Sequence, residues 1–245
     1  MSESVLEVRN LNYSYPDGTP ALKEINIDVS KGESVGIIGP NGAGKSTFLL
    51  HLNGILRGKG NINILDFEME DRNLSCIRKA VGLVFQDPDD QLFMPTVFDD
   101  VAFGPINMGL SKKEVEDSVI RALKEVDMLN SIRRSAHHLS FGEKKRVAIA
   151  TVLSMNPEIL VLDEPSSNLD PKHRRTLINF LKSLKLTKIV ATHDLDLVLE
   201  VSSRIILIDN GELIKEGKVL DILSDKNLLE AHGLEIPALL AAKAV

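Results

Sequence analysis

The sequence predicts an α/β fold interrupted by an inserted helical segment, and three observations carry this. A short apolar strand at 33–38, a glycine-rich loop at 39–46 and a helix-like run at 47–52 follow one another directly. Residues 87–157 then change texture, with turn-formers first and amphipathic helical patterns after them. From Ile159 onward fully apolar strands alternate with helices again. With 245 residues, 43% hydrophobic, the chain can bury one large core, or a core plus a lobe.

The elements justify themselves in order. Residues 5–12 and 21–29 alternate apolar and polar positions, through Val5, Leu6, Val8 and Leu11, then Leu22, Ile25, Ile27 and Val29. Both read as half-buried strands, joined by a turn at Pro16-Asp17-Gly18. Val81 to Phe85 is a strand that ends at Gln86. Asp87-Pro88, Pro95, Gly104-Pro105 and Gly109 break residues 87–110 into a partly helical stretch. Ser111-Lys112-Lys113-Glu114 is a capping box, and Val115, Val119, Ala122, Leu123 and Val126 form one stripe behind it. A second capping box, Ser140-Phe141-Gly142-Glu143, opens a helix expected to reach about Met155, with Pro157 beyond its end. Strands at 159–162 and 188–192 flank a helix at 171–184. Residues 205–208 and 213–214, joined by Asn210-Gly211, read as a hairpin. The tail from 218 reads as short helices.

Gly39, Asn41, Gly42, Ala43, Gly44, Lys45, Ser46 and Thr47 lie in a phosphate-binding P-loop. Glycines let successive backbone N–H groups turn toward phosphate oxygens. Lys45 adds a positive charge near the β- and γ-phosphates, and the Ser46 hydroxyl can hold Mg²⁺. The helix after the loop offers its N-terminus to an anion. Asp163-Glu164 closes the apolar strand at 159–162, where open α/β sheets place their ligands. Asp163 is placed to hold Mg²⁺, and Glu164 to polarise a water for attack on the γ-phosphate. His193 follows another apolar strand and could contact the same γ-phosphate, the alternative being a structural hydrogen-bonding residue at a strand end.

Composition narrows the function classes. A net charge of −6 gives no electrostatic case for nucleic-acid binding. The single cysteine, Cys76, excludes an internal disulfide and is expected to be a small buried hydrophobe. No apolar run approaches the ~20 residues of a membrane span, and Met1-Ser2-Glu3-Ser4 does not read as a secretory leader. Lys144-Lys145-Arg146 is expected to be the solvated face of its helix. His137-His138 has no partner pattern and reads as surface or packing.

The order of these motifs resembles the nucleotide-binding subunit of an ATP-binding cassette (ABC) transporter along nearly the whole chain. Residues 39–47 are similar to Walker A, and 159–164 to Walker B with its adjacent glutamate. The resemblance implies roles for other residues. Gln86 becomes the Q-loop glutamine that reaches Mg²⁺ and the attacking water, His193 the switch histidine, and Tyr15 the aromatic that stacks on adenine. Leu139-Ser140-Phe141-Gly142-Glu143 becomes the signature, in which Ser140, Gly142 and Glu143 face the nucleotide of a second subunit. Asp170 closes the D-loop, Ser167-Asn168-Leu169-Asp170. Two ATPase subunits, identical or different, would then sandwich two ATP molecules with Mg²⁺.

The implied fold is a RecA-like P-loop NTPase core with an N-terminal antiparallel β region and an inserted α-helical subdomain. One domain would comprise a nucleotide-binding core (1–86 and 158–217), a helical signature segment (87–157) and a helical tail (218–245). The run 86–105 resembles the energy-coupling factor (ECF) importers, in which such ATPases join a transmembrane coupling protein and a substrate-binding membrane component. Phe141 to Arg146 is similar to the nickel/cobalt branch, with a vitamin importer as the alternative. The protein would be peripheral on the cytoplasmic face of the membrane. Residues 87–109 would dock the membrane partner through Leu92, Phe93, Met94, Val97 and Phe98. A soluble non-transport ABC protein is disfavoured, since it needs coiled-coil arms or a second cassette. Phe141, where the family usually has glycine, and Asn168 depart from the pattern.

Overall fold

The computed structural model describes residues 3–241. Strands β1 (Ser4–Ser14) and β2 (Pro20–Ser30) pair antiparallel with Val8 opposite Ile27 and Leu11 opposite Ile25. Their apolar positions are buried as the alternation requires. Strand β3 (Ser34–Ile38) is buried at every residue and leads through the P-loop into α1 (Lys45–Leu52). Two further strands, β4 (Lys59–Ile64) and β5 (Phe67–Glu68), complete a four-stranded antiparallel sheet in the order β2-β1-β4-β5. Neither is legible in the sequence, because β4 buries only Ile62 and Ile64 and owes its conformation to pairing with β1.

Helix α2 (Leu74–Ala80) turns Ile77 and Ala80 inward and leaves Cys76 exposed, which corrects the expectation of a buried thiol. Strand β6 (Val81–Val84) precedes the helical insertion, formed by α3 (Val97–Asn107), α4 (Lys112–Glu125) and α5 (Phe141–Leu153). Both expected capping boxes are formed, at Ser111 with Glu114 and at Ser140 with Glu143. Helix α3 contains Pro105 and so loses one donor to the carbonyl of Val101. The Ser154 hydroxyl donates to that carbonyl instead, at 2.9 Å.

Strand β7 (Ile159–Asp163) returns to the core, followed by α6 (Pro171–Ser183), β8 (Thr187–Ala191), α7 (Leu195–Val201), β9 (Arg204–Asp209) and β10 (Glu212–Lys218). The second sheet runs β10-β9-β3-β8-β7-β6 and is parallel except for the β9–β10 hairpin. Asn210 and Gly211 both have positive φ, the two-residue turn that matches strand twist. Gly211 donates to the Ala43 carbonyl at 3.0 Å, so this hairpin braces the P-loop. Short helices α8 (Val219–Leu223), α9 (Lys226–Ala231) and α10 (Ala238–Ala241) complete the chain's described portion. The expected tail beyond 241, and Met1 and Ser2 of the N-terminal run, lie outside the described residues.

Phe48, fully buried, packs α1 among apolar residues of both sheets, including Val8, Ile27, Ile37 and Val161. A second cluster joins the insertion to the core through Val101, Val119 and Ile149 on one side and Leu160, Leu162 and Ile178 on the other. Registers of β3, β7 and β8 align their C-terminal ends, with Ile37 beside Ala191 and Asp163 beside Ala191. That edge carries the P-loop, Asp163-Glu164 and His193 together, where a parallel sheet presents its ligand crevice.

Candidate active site

The P-loop geometry follows from its glycines. Gly39 and Gly44 have φ of 151° and 102°, and a Cβ at either would strike backbone carbonyl oxygens of Ile208 or Ala21. Only glycine serves at those positions. Lys45 is 6% exposed, and its ammonium donates to the carbonyls of Gly39 (2.8 Å) and Pro40 (3.0 Å). Burial lowers its pKa, while Glu164 and Asp163 pull against that shift.

A cleft of about 410 Å³ opens beside this loop, within the size range of small-molecule sites. Tyr15, the 41–47 segment, Gln86, Glu164 and His193 line it. Tyr15 is exposed rather than a core residue, and its hydroxyl hydrogen-bonds that of Thr47 at 2.7 Å. Ala21 and Pro20 complete the wall near it.

Glu164 is buried and fully partnered. Its carboxylate accepts from the Thr192 hydroxyl (2.8 Å) and the His193 backbone N–H (3.1 Å), and the His193 ring Nδ1 lies 2.9 Å away. Its backbone φ is 42°, left-handed for a residue with a side chain, a strain that recurs at functional positions. Asp194 holds the following turn, gripped by Arg174 through both carboxylate oxygens and by the Ser166 hydroxyl. Thr192, Arg174 and Ser166 escape sequence reasoning as contributors. Only Thr192 carries a local signal, its place before His193.

Asp163 fits a divalent cation. One carboxylate oxygen is buried without a partner, and burial pushes its pKa up, against the pull of Ser46, Lys45 and Lys145. A half-buried, under-satisfied acid beside a hydroxyl is the donor set Mg²⁺ uses, with substrate oxygens and water filling the remaining positions. Among the described residues no group of three or more His, Cys, Asp or Glu could hold a metal by itself.

The signature residues lie elsewhere. Ser140 and Glu143 satisfy each other at the start of α5, with Ser140 Oγ 2.9 Å from the Glu143 carboxylate. Gly142 packs against His173, and Asp170 caps α6, accepting from the His173 backbone (2.9 Å) and ring (2.6 Å). None of Ser140, Gly142, Glu143 and Asp170 lines the Tyr15–P-loop cleft of its own chain.

Lys144-Lys145-Arg146 is not a solvated face. Lys145 is 2% exposed, Lys144 pairs with Asp89 at 2.6 Å, and Arg146 reaches the Val126 carbonyl. Helix α5 lies against the loop after β6 along this side, so its cations are enclosed by tertiary neighbours that no local pattern shows.

The ABC transporter family model matches residues 22–167. The chain belongs to the ABC transporter family. It is an ATP-hydrolysing ABC cassette with the α/β core, antiparallel sheet and helical insertion of that fold. The energy-coupling factor transporter ATP-binding protein EcfA of Methanothermobacter thermautotrophicus is 50% identical over 239 residues, covering 95% of this chain and 77% of that protein. EcfA of Methanocaldococcus jannaschii is 47% identical over 239 residues, covering 95% and 86%. Among solved structures, cbiO1 of Clostridium perfringens, part of the ABC transporter complex cbiONQ, superposes with a TM-score of 0.83 at 38% identity, covering 99% and 100%. A dimeric ATP-binding cassette bound to ADP and Pi superposes with a TM-score of 0.79 at 30% identity, covering 87% and 98%.

Proposed function

We propose that this ABC cassette energises an ECF-type membrane importer, and that the imported solute is nickel or cobalt. The observation that carries the reading is the cleft that gathers the P-loop, Gln86, Glu164 and His193, while the signature residues of the same chain lie outside it. Such a site is half a site. A second ATPase subunit, identical or different, would bring its own Ser140, Gly142 and Glu143 counterparts to the γ-phosphate. Similarity to EcfA proteins and to cbiO1 supports the ECF assignment. The Phe141 to Arg146 run supports nickel or cobalt.

The chemistry follows from the residues. Tyr15 offers an exposed ring to the adenine base, and the N–H groups of 41–47 cradle the phosphates. Lys45 turns from the Gly39 and Pro40 carbonyls to the β- and γ-phosphates. Ser46, Asp163 and the Gln86 side chain would hold Mg²⁺, which when bound neutralises phosphate charge. Glu164 orients a water and takes its proton, and His193 fixes both the carboxylate and the γ-phosphate edge. Asp170 and its D-loop would lie at the same dimer junction.

Among the described residues no helix is long and apolar enough to cross a membrane, so transport requires membrane partners. The protein would bind them peripherally, at the cytoplasmic face. Their docking surface lies on the insertion, but not through all the residues expected. Leu92 and Val97 are buried in its core, and Phe98 packs partly against it. Phe93, Phe103 and Ile106 are exposed by 62%, 46% and 59%, and the two phenylalanine rings meet edge-to-face. Such a patch fits an apolar partner helix. The test is co-expression with candidate membrane components, pull-down, and uptake of radioactive nickel or cobalt by the assembled complex. Uptake of a vitamin instead would overturn the metal assignment, and failure to join any membrane component would overturn transport.

A further inference from the structure

Lys145 is among the largest fully buried side chains of the described residues, together with Phe48 and ten aliphatic residues. An ammonium in that position needs its donors met. Its Nζ donates to the Gln86 carbonyl at 2.5 Å and to the Glu164 carbonyl at 3.2 Å. Those two carbonyls lie just beyond adjacent parallel strands, since β6 and β7 pair with Val84 beside Leu162. The Phe141 ring, one turn back on α5, lies 5.7 Å from the same nitrogen. Burial lowers its pKa to about 8, while the charges of Asp163, Asp87 and Glu164 pull against that shift. One side chain of the signature helix thus grips the backbone of both segments assigned to the attacking water.

We propose that Lys145 is a positioning residue that fixes Gln86 and Glu164 relative to α5, so that the orientation of the helical insertion sets the hydrolytic geometry. This rests on the roles proposed above for Gln86 and Glu164. The loop 86–91 has two other ties to the same helix. Lys144 pairs with Asp89, and the Gln91 amide donates to the Ala148 carbonyl and the Thr151 hydroxyl. Neither tie reaches Glu164, so among these contacts Lys145 alone links all three parts. A methionine of similar length would fill the space without either hydrogen bond.

The experiment compares Lys145→Met, Lys145→Gln, Gln86→Ala, the double variant Lys145→Met with Gln86→Ala, and Lys144→Met. Turnover, KM and direct ATP binding are measured on purified protein at matched folded concentration. Lys145→Met should lower kcat by about tenfold or more with ATP affinity changed less than about threefold. Lys145→Gln, which keeps a donor, should recover part of that loss. Lys144→Met should leave kcat within about twofold, since its partner is exposed. In the Gln86→Ala background Lys145→Met should cost less than about threefold, because residues acting as one unit are not additive. Gln86→Ala alone reports whether the glutamine has its proposed role, so failure of that reading shows before Lys145 is changed. Unchanged kcat in Lys145→Met, or an equal loss with and without Gln86, would overturn the inference. If Lys145→Met does not fold, Lys145→Gln carries the same comparison. Failure of both to fold would make the lysine a structural strut and overturn the inference as well.

Discussion

The His193 ring and the Glu164 carboxylate are in direct contact, 2.9 Å apart, just past the ends of β8 and β7. Contact between this histidine and the acid joins the two groups that would address the γ-phosphate and its attacking water. The Thr192 hydroxyl and the His193 backbone hold the same carboxylate, so its position does not depend on its charge alone. A glutamine amide keeps one acceptor oxygen, which at the Oε2 position can still take the Thr192 hydroxyl and the His193 N–H.

Glu164→Gln should therefore keep the local structure and bind ATP, yet lose turnover by about 10² to 10⁴-fold, as removal of a general base does. The bound nucleotide should hold two cassettes together. Size-exclusion chromatography with ATP should show a dimer for this variant, and a phosphate-release assay should show almost no hydrolysis. Near-normal hydrolysis would remove Glu164 from the mechanism.

Lys45→Ala acts on binding instead. Loss of a charged donor to phosphate costs about 2 kcal/mol, or roughly 30-fold in affinity. The variant also leaves the Gly39 and Pro40 carbonyls without the ammonium. A direct ATP titration decides this, and unchanged affinity would count against the assignment.

The proposed docking surface separates two kinds of apolar residue that look alike in sequence. Phe93→Glu and Ile106→Glu alter exposed side chains, so the cassette should stay folded and hydrolyse ATP while losing its membrane partner in a pull-down. Leu92→Asp puts a charge into the core and should destabilise the insertion by more than about 4 kcal/mol. Thermal denaturation distinguishes them. Retained complex formation by the two glutamate variants would place docking elsewhere.

That contrast shows what local sequence can carry. The P-loop is legible because its glycines answer to backbone geometry within a few residues, as Gly39 and Gly44 show. Both capping boxes are legible for the same reason, since each closes within one turn. Strands β3 and β7 announce themselves by apolar runs, and β8 by Ile189-Val190-Ala191. Burial within the insertion is different. Leu92 and Phe93 are neighbours in sequence, and only the tertiary packing of α3 and α5 decides which faces water. Lys145 misleads on the same ground, because its partners Gln86 and Glu164 stand 59 and 19 residues away.

Asp100 predicts a pH effect. It is buried and accepts from the backbone N–H groups of Phe93 and Met94, both at 2.9 Å, with its other oxygen unpartnered. Burial raises its pKa, opposed by those two hydrogen bonds, with Asp99 adding to the rise and His137 opposing it. The folded chain thus holds this proton to higher pH than the unfolded chain does. Stability from this group is present below the usual carboxylate range and is lost as pH rises through the folded value. Asp100→Asn keeps an acceptor and removes the charge. Its stability relative to the native chain should rise across that interval and then level off. Denaturant melts at several pH values measure it, and a pH-independent difference would refute the argument.

The last prediction concerns the departure at Phe141 and the glycine beside it. Phe141 is the first residue of α5, half-buried, with its ring near the Lys145 ammonium rather than at a helix N–H. The groups that α5 can offer to a phosphate are the Ser140 hydroxyl and the backbone near Gly142. Phe141→Gly should therefore change turnover modestly, by less than about tenfold, while losing roughly 1 to 2 kcal/mol of packing. Gly142→Asp differs in kind. A Cβ there would stand 3.0 Å from the His173 ring, and Asp170 holds that ring at 2.6 Å, so the neighbour is not free to yield. The added carboxylate would also bring negative charge to the helix start proposed above to face a phosphate of the opposing subunit. Turnover should fall by about 10²-fold or more while ATP binding to the P-loop stays intact. Both variants are compared by ATP turnover at equal folded concentration. A Phe141→Gly enzyme that is folded, dimeric and inactive would show that the ring shapes the hydrolytic site directly, through Lys145 or otherwise.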